Sequence, residues 1–268
     1  MTDQALIDAL GTRHTAAAGP ARIVSLVPSV TELLCDLGLG GQLVGRTGFC
    51  VHPKDQLRHV AKVGGTKDVN LEAIRDLQPT HVVLNVDENR RETADALAGF
   101  VPHLVVTHPQ GPADNFALYR LLGGIFHCEE RSAQLSAELQ GRLDELQNHP
   151  AWPERKVLYL IWRDPWMTVS TDTYIARMLR LVNWRTVPGH SDTRYPEVEL
   201  GELAENPDLV LLSSEPYPFR DRHAPEIRAE LGDATPVHLI EGDMVSWYGS
   251  RAVAGVAYLE DFARQIAA

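Results

Sequence analysis

Apolar residues alternate along this chain between two rhythms. Short β-branched runs at 22–28 (RIVSLVP), 43–44, 81–84 (HVVL) and 104–107 (LVVT) predict buried strands. Between them, spacings of three and four predict helices over 29–37 (SVTELLCDL), 71–77 and 93–100, with Leu71, Ile74 and Leu77 on one face. Ser29, with Glu32 three positions later, is placed to cap the first helix, the glycines at 38, 40 and 41 end it, and Pro79 stops the second. Segment 47–53 (TGFCVHP) reads as a loop, and 63–66 (VGGT) follows it. Strand and helix exchange places through short links, as a parallel sheet covered by helices requires.

From Ala113 to Asn148 the pattern becomes one proline-free helical stretch carrying Leu118, Leu121, Leu122, Ile125, Leu135, Leu139, Leu143 and Leu146. A helix of about 35 residues spans roughly 50 Å, and Gly123 and Gly124 each weaken it by about 1 kcal/mol. After Pro150 and Pro153 the alternation restarts, with strands at 157–161 (VLYLI), 209–212 (LVLL) and 237–240 and helices at 174–181 and 252–267. One string recurs, LQPTHVVLN from Leu77 and ENPDLVLLS from Glu205, so the second half echoes the first. The predicted fold is α/β, two Rossmann-like βα lobes joined by one long backbone helix. Its parts are an N-terminal extension (1–21), a lobe (22–111), the interlobe helix (112–150) and a second lobe (151–268).

Composition narrows the function. Of the 268 residues 44% are hydrophobic and 23% charged, the balance of an ordinary globular protein. The net charge of -11, with no Lys/Arg cluster, argues against nucleic acid as a partner. Cys35, Cys50 and Cys128 lack the spacing of a disulfide framework or a zinc finger, so no structural metal is expected. No basic-then-apolar leader opens the chain and no run approaches a membrane span, which favours a cytoplasmic location as the chain stands, or a periplasmic one if a signal segment has been removed.

The motifs RIVSLVPSVTELLCDLG, VGRTGFCVHP, KVGGTKDVNLEAIRDLQPTHVVL and SWYGSRAV, in that order, resemble the helical-backbone (class III) substrate-binding proteins of ABC importers for cobalamin and iron chelates. This is the family of the periplasmic vitamin B12 binder. The resemblance implies two lobes, small closure on binding, and a metal chelate, cobalamin or a related corrinoid foremost, held in the interlobe cleft without catalysis. It also implies a possible ABC permease as partner, docked through one acidic residue on each lobe. Glu72 fits the first position; Gly201 stands near the second, with Glu202 beside it. A monomer is expected. Cytoplasmic binding, a role in an importer for cobalamin, haem or iron-siderophore, and an enzyme using Cys50 as nucleophile are the competing functions.

Strand C-terminal ends in open α/β sheets form ligand crevices, which selects the candidate contacts. Trp162, Arg163 and Trp166 follow the strand VLYLI; Glu215, Tyr217 and Phe219 follow LVLL; Tyr195, Trp247, Tyr248 and Arg251 complete the second-lobe set. Each aromatic is either a packing anchor or a platform for a flat ligand, and Arg251 either meets the ligand or forms an internal salt bridge. In the first lobe Phe49, Cys50 and His52 share a loop in which Cys50 or His52 could be an axial ligand to a chelated metal, or a buried thiol and a loop imidazole. Ser29, Gly65 and Thr66 offer either donors to an anion or amide, or ordinary capping.

Overall fold

The structure, a computed structural model, describes residues 5–148 and 152–267; expectations touching residues 1–4 and Pro150 lie outside the described residues. Strands β1 (Leu6–Ile7) and β2 (Arg13–His14) form an antiparallel hairpin within the segment expected to be an extension. Asp8 fixes it: its carboxylate accepts from the backbone N–H groups of Leu10, Thr12 and Val106 and pairs with His14 at 3.1 Å.

Five parallel strands follow, β3 (Ile23–Ser25), β4 (Leu43–Arg46), β5 (Ala61–Lys62), β6 (His81–Asn85) and β7 (His103–Thr107), in the sheet order β5-β4-β3-β6-β7. Helices α1 (Pro28–Asp36), α2 (Leu71–Asp76) and α3 (Arg91–Ala98) lie between them in sequence. Every residue of β6 is buried, the reason its sequence reads as a continuous apolar run and not as an alternation. Val24, Leu26, Val82 and Leu84 form one core with Ile74 of α2 and Leu97 of α3.

The expected 35-residue helix is two helices, α4 (Asn115–Phe126) and α5 (Glu129–Gln147). His127 caps α4 in the left-handed conformation, φ 57°, and its Nε2 bonds the carbonyl of Ala17 at 2.8 Å. The two glycines serve close approach. A Cβ on Gly123 would lie 2.7 Å from that of Ser132 on α5, and one on Gly124 would lie 2.5 Å from Leu6 of the hairpin.

The second sheet is also parallel, with order β11-β10-β8-β9, from β8 (Arg155–Leu160), β9 (Trp184–Thr186), β10 (Leu209–Ser213) and β11 (Val237–Ile240). Its helices are α6 (Tyr174–Leu179), α7 (Ala224–Leu231), α8 (Gly242–Ser246) and α9 (Arg251–Ala267). Leu158, Leu160, Val210, Leu212, Phe219 and Ile227 make its core. The chain thus divides into two compact units. The first holds residues up to Pro109, Ala113–Glu138 and Tyr248–Arg251; the second holds Gln110–Pro112, the described part of Leu139–Trp247, and Ala252 onward. Helix α5 is shared between them.

Candidate ligand-binding site

Parallel strands point their C-terminal ends to one edge of a sheet, so the loops after β3 to β7 gather on one edge of the first unit. Asn89 ties them together: its side-chain amide donates to the carbonyls of Leu26 and Thr66 at 3.2 and 3.0 Å, while its oxygen accepts from the N–H of Asn85. Asn85 Oδ1 in turn accepts from the N–H groups of Asp87 and Glu88, so the turn after β6 is fixed. Nothing in the sequence singled out Asn89; its partners lie 63 and 23 positions away.

On this edge Phe49 is 65% exposed, and Val51 and Val86 are exposed with it. The Phe49 ring lies over Gly65, where a Cβ would come within 3.3 Å of it. Burying a phenylalanine is worth about 1.5–3 kcal/mol, so a ring left in water has not been placed there by the demands of folding. His108 and Asp87 face each other at 3.5 Å on the same edge, and Lys67 donates to the carbonyl of Asp87.

Other expectations for this unit need correction. Cys50 is 0% exposed, with the hydroxyls of Thr31 and Thr47 each 3.1 Å from its sulfur. Burial pushes its thiol pKa up, against the partial relief those hydroxyls give. That is the environment of an inert thiol, so neither the nucleophile nor the axial-ligand reading of Cys50 survives. His52, by contrast, is exposed. Ser29 is buried and is not the cap of α1, because the helix starts one residue earlier at Pro28 with Val27 as N-cap. Thr66 is half-buried and lends its carbonyl to Asn89. Glu32, expected to close a capping box, instead pairs with Arg251 through two bonds of 2.7 and 2.5 Å. Arg251 is therefore internal to this unit. Tyr248, only 7% exposed, donates its hydroxyl to Glu88 at 2.8 Å.

In the second unit the loop after β8 folds back through a bridge between Trp162 and Met167. Trp162 is 41% exposed and meets Tyr217 edge-on at 5.7 Å, so two rings stand together at the ends of β8 and β10. Behind them Trp166 stacks on Phe219, whose 1% exposure makes it core and not a contact surface. Arg163 is held by Glu226 at 3.1 and 3.0 Å and by Asp164 at 3.1 Å. Glu215 accepts from the Trp247 indole at 2.7 Å and from Ser246 at 2.9 Å, which gives both residues a structural task. Tyr195 is exposed on the long connection after β9.

The two parallel-sheet units agree with the comparisons. The family model for periplasmic binding proteins matches residues 23–232, well over half of the chain. The chain belongs to the periplasmic binding protein family. A vitamin B12-binding protein of Photorhabdus laumondii is 26% identical over 75% of this chain and 73% of its own. An uncharacterized ABC transporter substrate-binding lipoprotein of Bacillus subtilis is 26% identical over 95% of this chain and 83% of its own. A periplasmic heme binding protein of Pseudomonas aeruginosa shares the fold, with a TM-score of 0.77 at 17% identity over 91% and 92% of the two chains. Like other periplasmic binding proteins the chain binds a small molecule and is not an enzyme. No relative named here points to the cytoplasm, the location the sequence favoured, and no helix among the described residues is long and apolar enough to cross a membrane.

Proposed function

We propose that this protein captures a flat metal chelate, a corrinoid such as cobalamin, and passes it to an ABC importer. The observation that carries the reading is the exposure of aromatic rings at strand C-terminal ends, Phe49 in one unit and Trp162, edge-on to the half-buried Tyr217, in the other. Such rings offer large, stiff contact area to a macrocycle at little entropic cost. The names of the matched relatives, a vitamin B12-binding protein and a transporter lipoprotein, favour the same ligand class and the same destination. Handing on the ligand needs a surface for the permease. Glu72, exposed in the first turn of α2, and Glu202, exposed in the short 3-10 helix Leu200–Glu202, are the proposed docking carboxylates.

Calorimetry with cyanocobalamin, hemin and a ferric siderophore tests the proposal. Micromolar or tighter binding of the corrinoid is expected, and Trp162→Ala should weaken it about tenfold, or roughly 1.4 kcal/mol. No heat with any of the three ligands would overturn the reading, and hemin or siderophore binding alone would replace the corrinoid. Fractionation of the native, full-length product should place it outside the cytoplasmic membrane.

A further inference from the structure

The four residues Tyr248–Arg251 are packed as part of the first unit, although the residues on either side of them, Trp247 and Ala252, belong to the second. Three of the four are anchored by hydrogen bonds within the first unit. Gly249, at φ +84°, donates its N–H to Asn115 Oδ1 at 2.6 Å, and its carbonyl accepts from the Tyr119 hydroxyl at 2.8 Å. A Cβ there would come within 3.1 Å of the Ser29 carbonyl, so glycine is required both by its backbone angle and by close approach. Arg251 closes on Glu32. The phenol of Tyr248 is thereby a fixed point inside the unit, and burial, together with the neighbouring Glu88 charge, keeps it protonated as a donor.

What this fixed phenol holds is Glu88, on the turn after β6 that Asn85 and Asn89 already set from the backbone side. Glu88 follows Asp87 and the exposed Val86 on the binding edge, so this part of the edge presents carboxylates beside an apolar surface. We infer that Tyr248 is a positioning residue that presents the Glu88 carboxylate as a specificity determinant for ligands whose rim donates hydrogen bonds. An ionised carboxylate accepts hydrogen bonds and donates none, so a phenol that donates to it fixes it in place without changing what it offers a ligand. A carboxamide N–H of a ligand is matched by such a group, whereas a ligand carboxylate meets a like charge with no proton to share.

The inference rests on the corrinoid reading, and the test separates the two. Dissociation constants for cyanocobalamin, whose rim is carboxamide, and for hemin, whose rim carries two propionates, are measured on the wild type, Glu88→Gln and Tyr248→Phe, with near-ultraviolet circular dichroism as a check on packing. Glu88→Gln, which can donate to a propionate, should lower the preference for the corrinoid at least fivefold. Tyr248→Phe should lower it in the same direction by less, through a carboxylate left in place but no longer fixed. An unchanged preference in both variants, with wild-type corrinoid binding intact, overturns the inference alone. Absence of corrinoid binding by the wild type overturns the functional reading and the inference together.

Discussion

Two phenylalanines show how far a residue's chemistry depends on where the chain sets it. Phe49 follows β4 and is 65% exposed; Phe219 follows β10 and is 1% exposed, under the Trp166 ring and against Tyr217 and His223. The same substitution should therefore act on different properties. Phe219→Ala opens a cavity in a packed core and should cost about 3–5 kcal/mol of stability. Phe49→Ala should leave the urea midpoint nearly unchanged, within about 0.5 kcal/mol, while weakening corrinoid binding. Chemical denaturation of the two variants checks this, and a stability loss for Phe49→Ala as large as that for Phe219→Ala would show the Phe49 ring to be structural. The sequence placed both rings after strands, which is correct, but it could not rank them. Exposure is decided by Trp166 and His223, partners that no local pattern announces. The same holds for Tyr248, whose partner Glu88 is 160 positions away.

At the scale of elements, the strands were the most legible part of the chain, because β6 and β10 are buried along their whole length and read as unbroken apolar runs. The hairpin β1–β2 and the strand β9 were not legible, since they are two or three residues long and, unlike the equally short β3, lie in no β-branched apolar run. Nor was the break between α4 and α5, where His127 takes a left-handed angle usually given to glycine or asparagine and no proline marks the stop. Gln78 makes a comparable choice at the end of α2, with φ 48°, immediately before Pro79. Its side chain is exposed, and its carbonyl, which accepts from Arg22, is retained in any substitution. Gln78→Gly relieves the left-handed strain and should raise stability by roughly 0.5–1 kcal/mol, read as an upward shift of the thermal midpoint. A lower midpoint would mean that the gain in backbone freedom of the unfolded chain outweighs the strain.

On the scale of the whole molecule, the doubled α/β plan was readable from the repeat of helix, proline and strand, and the order of motifs placed the chain in its family. The whole-molecule response to acid was not readable, because it depends on residues that only the fold assembles. His81 and His103 occupy neighbouring positions at the start of β6 and β7, and their rings stack at 4.7 Å. Phe126 meets His81 edge-on, Thr80 Oγ1 lies 2.9 Å from its Nδ1, and the Asp8–His14 pair of the hairpin completes the charged surroundings. Burial first, then His103 and His14, lower the His81 pKa from 6.5 to about 4. The unfolded chain therefore takes up a proton below pH 6.5 that the folded chain refuses until about pH 4, and stability falls through that window. At about 1.4 kcal/mol per pH unit the loss approaches roughly 3 kcal/mol at the acid end and vanishes above the window. Carboxylates titrate mainly below about pH 5, so the upper part of the window belongs to histidine. His81→Gln, uncharged throughout, should flatten the fall in denaturation midpoint between pH 6.5 and pH 5 relative to the wild type. Parallel pH profiles for the two proteins would mean that the His81 ring admits its proton without cost, and that acid acts on this molecule elsewhere.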